Sequence, residues 1–206
     1  DGLGEFGGMN HPHYENLILN AIELNQPGVA HRYSGVGYEL VAKAMESVSG
    51  MPAVTLYDQQ LFSPLGFGDV VLGNASSDAE LTAAELASLG QLLANQGSYR
   101  GLQYFRPKTF ERLLPTSLAG IEGAPATGYG VGLHWVYHRR QGAPADSVKP
   151  EDLLFSPRTI GHGSFSGCIL VVDLERKLVI AQARRQFREA DNQWRSEEHT
   201  SELQSP

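Results

Sequence analysis

The chain is poor in cysteine. Cys168 is its only one in 206 residues, so no internal disulfide can form. Placed at the head of an apolar run, that thiol reads as a packed core residue rather than a nucleophile. Positive charge is also scarce: 16 Lys and Arg stand against 23 Asp and Glu, a net charge of −7. The densest basic cluster, His138-Arg139-Arg140, falls in a loop, and no basic stripe is visible, which excludes a nucleic-acid surface. No apolar run approaches the ~18 residues of a membrane-spanning helix, and no signal-peptide pattern opens the sequence as given. Metal-ligand spacing is missing, since His11 and His13 have no Cys or carboxylate pattern beside them. No Gly-rich phosphate loop follows a strand, so neither a nucleotide nor any other cofactor is expected.

What is present is the composition of an ordinary globular domain, 41% hydrophobic and 19% charged. The ends differ from the middle. The chain opens on Asp1 without Met, so a natural start upstream is expected. Residues 195–206 turn abruptly polar and resemble the in-frame translation of a short-read sequencing adapter. They are set aside. Removing Arg195, Glu197, Glu198 and Glu202 takes the charge from −7 to −5 and changes no conclusion. The expectation is a partial domain over 1–194, a fragment recovered from unassembled metagenomic DNA.

Helical spacing comes first along the chain. Leu17, Ile18, Ala21 and Ile22 mark a short helix from Tyr14 to Leu24. Val36, Leu40, Val41, Ala44 and Val48 form the apolar stripe of a second, with Ser34 as N-cap, Gly50 beyond its C-terminus and Pro52 ending it. A third covers 53–62, before Ser63-Pro64-Leu65-Gly66. Thr82-Ala83-Ala84-Glu85 is a capping box opening a helix with Leu86, Leu89 and Leu93 on one side, ending at Gly97. Pro107, a favoured first helical residue, starts a helix to Leu114. The period then changes. Residues 129–137 read as a strand and 139–158 as an irregular excursion. Two β-branched runs over 168–183, joined by Asp173-Leu174-Glu175-Arg176-Lys177, read as an antiparallel hairpin. Just before it, Gly161-His162-Gly163 displays a polar side chain between glycines, as at a strand edge bordering a cleft. Helices first and antiparallel strands last predict an α+β fold.

The order of motifs carries a resemblance. Pro27-Gly28, Tyr33-Ser34-Gly35-x-Gly37-Tyr38, Val48-Ser49-Gly50 and Pro64-Leu65-Gly66 come first. Thr82-Ala83-Ala84-Glu85-Leu86-Ala87, Gly128-Tyr129-Gly130-Val131-Gly132 and Gly161-His162-Gly163 follow. Over about 27–190 this resembles the serine β-lactamase-related hydrolases, in particular the class C β-lactamase, esterase and DD-peptidase branch. The resemblance implies a β-lactamase/transpeptidase-like α+β fold: an antiparallel sheet flanked by helices, with a helical region, its first strands and nucleophile helix lying upstream of Asp1. It implies acyl transfer from a small-molecule ester or acyl substrate through an acyl-serine. By resemblance Tyr33 matches the tyrosine that shuttles protons to and from the nucleophile, and His162 the residue that polarises the site. Ser34, Gly35, Gly163 and Ser164 would line the substrate position, and the backbone N–H of Phe165 would be an oxyanion donor. A phenol with an ordinary pKa near ~10 serves as a base only where cations lower it.

Each assignment has a plain alternative. Tyr33 as an aromatic packed at a helix start, Tyr38 as core, His162 as a surface histidine and His134 as a wall residue all stay open. Three departures from the family pattern matter. Gly35 stands where the family has an Asn that bonds a substrate amide. Ser164 stands where it has Gly. No Ser or Thr is followed three residues later by Lys, and Ser147-Val148-Lys149 has the wrong spacing, so no nucleophile is in this chain. The expectation is an esterase when whole and no turnover from this stretch alone, with β-lactamase, D-alanyl-D-alanine carboxypeptidase and a non-catalytic ligand-binding homologue as alternatives. Periplasmic, secreted and cytoplasmic placement and the oligomeric state stay open.

Overall fold

The computed structural model describes residues 25–184 except 74, 77, 78, 126, 131 and 165. The predicted helix at 14–24, His11, His13, Phe165 and the 195–206 tail lie outside the described residues. The described residues fall into two compact units, one up to Leu81 together with Gly120–Ala124, the other Thr82–Ala119 together with those from Pro125 on.

In the first unit, α1 (Val36–Ser49) ends as its sequence dictates. Gly50 adopts the left-handed conformation (φ 69°) and its N–H donates to the Glu46 carbonyl at 2.9 Å. Its start differs from expectation. Gly35, not Ser34, is the N-cap, with no side-chain cap, while Ser34 Oγ accepts from Val36 N at 3.2 Å. α2 (Ala53–Tyr57) follows Pro52, and the helical path continues through a π-turn, Asp58–Phe62, into α3 (Ser63–Leu65), stopping at Gly66. Ala42, Ala53, Phe62 and Leu65 are buried, and Phe67 stacks on Phe62 at 5.9 Å. The apolar stripe assigned to α1 is corrected: Leu40, Val41, Ala44 and Val48 are exposed, and the buried residues of the helix are Glu39 and Ala42. The cause is a loop 36 and 37 residues further along the chain. The Glu39 carboxylate accepts from Ser76 N (3.1 Å), Ser76 Oγ (2.8 Å) and Ala75 N (3.4 Å), so this polar residue is the covered one. A short antiparallel pair, β1 (Val71–Leu72) and β2 (Ala79–Glu80), flanks that loop.

In the second unit, α4 (Ala83–Ala94) opens on the predicted capping box. Glu85 N donates to Thr82 Oγ1 at 3.2 Å, and Thr82 N to Glu85 Oε2 at 2.8 Å. The helix stops at Ala94, three residues before Gly97. A small hairpin, β3 (Ser98–Tyr99) and β4 (Leu102–Gln103), leads to α5 (Pro107–Leu113), with proline in its first turn as expected.

The sheet is antiparallel in the order β5 (His134–Trp135), β6 (Thr159–Gly163), β7 (Ile169–Asp173), β8 (Leu178–Gln182). The predicted hairpin is β7–β8. The strand predicted at 129–137 is corrected to two residues. Gly128 and Gly130 instead carry the chain against 113–117, where added Cβ atoms would lie 2.3 Å from Thr116 O and 2.4 Å from Leu113 O. Tyr129 bridges Thr116 in both directions there. Cys168 is corrected as well: it is half-buried and lies outside the core cluster. That cluster joins Ala94, Phe110, Leu133, Ile160 and Val172, and α4 packs on β7 and β8.

Candidate active site

The predicted site residues fall in both units. In the first, Tyr33, Ser34 and Gly35 form the turn that enters α1. Tyr33 is 70% exposed, so it is not an aromatic packed into a core. What burial its ring has, and then the neighbouring Tyr38 phenol, push its pKa up rather than down. Gly35 is open backbone under a roof. A Cβ added there would lie 2.5 Å from Ser76 Oγ and 2.9 Å from Ser76 Cβ. Because Ser76 is held by buried Glu39, the glycine is a packing requirement, and a larger residue must displace the 75–76 loop. Glu39 and Ser76 escape sequence reasoning because Glu39 sits among apolar neighbours and its partners are 36 and 37 residues away.

In the second unit, His162 and Gly163 end β6. The strand is interior to the sheet, but its end is one-sided. Gly161 pairs with both His134 and Val171, whereas His162 and Gly163 pair only with Leu170 and Ile169. β5 is too short to reach them. Gly161 must be glycine, since a Cβ would meet Leu170 O at 2.5 Å. Ser164 lies beyond the strand, in the turn to β7. Its Oγ is 2.6 Å from Ser166 Oγ and accepts from Cys168 N at 3.2 Å, and its N–H donates to Cys168 O at 2.8 Å. Its hydroxyl is thereby engaged in closing the turn. Cys168 Sγ accepts from Ser166 Oγ (3.4 Å) and Arg184 N (3.2 Å). Burial alone would raise this thiol, but hydrogen bonding with Ser166, Arg184 and Ser164 and the Arg184 charge together outweigh it and leave its pKa below the ordinary value.

His162 has an aromatic neighbour that the sequence did not mark as part of the site. The His134 ring lies 5.4 Å from it, centroid to centroid, tilted by 35°, and Tyr129 stands edge-on to His134 at 4.5 Å. The available signal was the Gly128-Tyr129-Gly130 motif, whose glycines bring Tyr129 in. At the opposite end of β6, where Thr159 pairs with Asp173, that carboxylate (1% exposed) accepts from Ser156 N and Oγ at 2.8 and 2.7 Å and from Arg176 N at 3.0 Å. Burial would raise this carboxyl; the bonds from Ser156 and Arg176 and the Arg176 charge prevail and lower it. It is a structural clasp joining the 139–158 excursion to the β7–β8 turn. Among the described residues, no three His, Cys, Asp or Glu side chains gather as a metal site.

A two-unit chain with a helical part, an antiparallel sheet covered by a helix, and Tyr-x-Gly and Gly-His-Gly elements at the ends of α1 and β6 has the architecture of the β-lactamase/transpeptidase-like fold. The Beta-lactamase family model matches residues 15–193, and the chain belongs to that family. Among curated proteins it is similar to a candidate D-alanyl-D-alanine carboxypeptidase of Escherichia coli K12, 24% identical over 199 residues, covering 72% of this chain and 43% of the relative. The chain thus spans less than half the length of that relative. Among solved structures it resembles a β-lactamase from Mycobacterium bovis (TM-score 0.63, 21% identity, 86% of this chain and 65% of that one). A penicillin-binding protein homologue from Caulobacter crescentus is also similar (TM-score 0.60, 15% identity, 84% and 57%).

Proposed function

We propose that the intact protein is a serine hydrolase that forms an acyl-serine, with a preference for esters over β-lactams or peptides. In this reading a serine hydroxyl oxygen adds to the substrate carbonyl carbon, and the tetrahedral intermediate loses its alcohol. Water then attacks the acyl-serine and releases a carboxylic acid. Tyr33 takes the serine proton and returns it to the leaving alkoxide, and His162 polarises the substrate end. The described neighbours of Tyr33 raise its pKa, so this role requires a cation from the nucleophile motif itself. Ester preference rests on one observation. The side-chain space at Gly35 is filled by Ser76, leaving no room for an amide-binding Asn unless the loop moves.

The test begins with the source reading frame. A Ser-x-x-Lys is expected upstream, and the full-length protein should cleave a short-chain p-nitrophenyl ester with a burst and a covalent mass shift on that serine. Much faster cleavage of a chromogenic cephalosporin would overturn the ester preference. Replacement of the upstream Ser or Lys would overturn the hydrolase reading in favour of a ligand-binding homologue, which the changes at Gly35 and Ser164 also accommodate.

A further inference from the structure

Gly35 caps α1, yet nothing in its backbone calls for glycine. Its φ of −72° and ψ of −18° are right-handed helical values that any residue adopts. What bars a side chain there is Ser76, since an added Cβ would lie 2.5 Å from Ser76 Oγ and 2.9 Å from Ser76 Cβ. Turning the hydroxyl aside would break its 2.8 Å bond to Glu39 Oε1 and leave the Cβ contact in place. Glu39 lies one turn after Gly35 and its N–H donates to the Gly35 carbonyl at 3.2 Å, so the two share one face of α1. Residues 75 and 76 lie along that face, their N–H groups donating to the buried Glu39 carboxylate. Ser76 itself stays exposed, as does Tyr33 two residues before Gly35. A side chain from a distant loop thus occupies, at the entrance to α1, the space that residue 35 leaves empty.

We propose that Ser76 takes the place of the side chain missing at Gly35 and is a specificity-determining residue, limiting the branching of the acyl group that lies against the Tyr33–Gly35 turn. The substrate role rests on the hydrolase reading of Tyr33; the packing of Ser76 on Gly35 does not. The acyl part stays on the serine when the alcohol leaves, so a fixed wall beside Tyr33 selects on it in both halves of the reaction. The wall is one hydroxymethyl group, kept in place by the bonds that tie residues 75 and 76 to Glu39. A straight acyl chain passes beside it, whereas a branch next to the carbonyl meets it. Pocket space of a single methylene separates substrates by roughly 10–200-fold.

Two measurements test this. In urea unfolding of the 206-residue chain, Gly35→Ala should lower the midpoint, and most of that loss should disappear when it is made in a Ser76→Gly background. The intrinsic effect of alanine at the cap is common to both backgrounds and cancels. Equal losses in the two backgrounds would overturn the packing and the proposal with it. Should Gly35→Ala fail to fold, a folded double variant supports the contact, and failure of both overturns it. In the full-length protein, Ser76→Gly should raise kcat/KM for p-nitrophenyl isobutyrate relative to p-nitrophenyl butyrate, which differs only in branching, by roughly tenfold. A purely structural role would move both esters alike. An unchanged ratio in a protein that still forms its acyl-serine would overturn this proposal alone. A full-length protein that forms no acyl-enzyme with either ester would sink the hydrolase reading, and the substrate role of Ser76 with it, whatever the unfolding cycle gives.

Discussion

Two carboxylates, Glu39 and Asp173, are each about 1% exposed, and each holds a distant loop through bonds to backbone N–H groups and a serine hydroxyl. Buried anions are tolerated only when so satisfied. For Asp173 a pH dependence follows with a definite sign. Its folded-state pKa is lowered below the ordinary carboxylate value, so its contribution is fully present above the unfolded value near ~4 and lost as pH falls through the folded one. Urea unfolding of wild type and Asp173→Ala at pH 7 should differ by about 3 kcal/mol, and the difference should shrink toward pH 2. A pH-independent difference would show that the carboxylate charge is not what matters. Asp173 was visible in the sequence only as the first charged residue after an apolar run. Its role depends on Ser156, 17 residues back, in a stretch with no periodicity.

At the scale of elements, local signals were legible and distant ones were not. The capping box at Thr82 and Glu85, Pro107 in the first turn of α5, Gly50 after α1 and the β7–β8 hairpin all depend on a few adjacent residues, and all form as read. The α1 stripe and the 129–137 strand misled because periodicity reports that a face or strand can form, not what covers or displaces it. Gly90 shows the same limit inside a helix that was read correctly. An added Cβ would lie 2.4 Å from Val179 Cγ1 and 2.9 Å from Leu170 Cδ1, so α4 meets the sheet at bare backbone. Gly90→Ala should therefore destabilise by about 1–2 kcal/mol in urea unfolding, although alanine is the better helix former by about 1 kcal/mol. Combining it with Val179→Ala should recover part of the loss. Simple additivity of the two changes would rule out the contact as the cause.

For the whole molecule, the α+β class was legible because helix-forming and strand-forming stretches are segregated along the chain, whereas the burial of each helix face was not. α1 leaves Leu40, Val41 and Val48 at 44%, 57% and 91% exposure, and Val54 adds to them at 43%. Apolar side chains at this density favour self-association. Val41→Glu with Val48→Glu should lower the light scattering of the chain at fixed concentration while moving its unfolding free energy by no more than about 0.5 kcal/mol. Unchanged scattering would place the sticky surface elsewhere.

The spacing of the sheet also sets an order of events in time. β6, β7 and β8 are consecutive, joined by residues 164–168 and 174–177, so their pairing closes only short loops. α4 must return across more than sixty residues to reach β7 and β8, and β5 pairs with β6 only after the 136–158 stretch has been drawn in. Entropy makes the short closures early and the long ones late. The three-stranded meander is thus the natural nucleus of its unit. His162, on the first strand of that meander, takes up its backbone conformation before His134 arrives beside it.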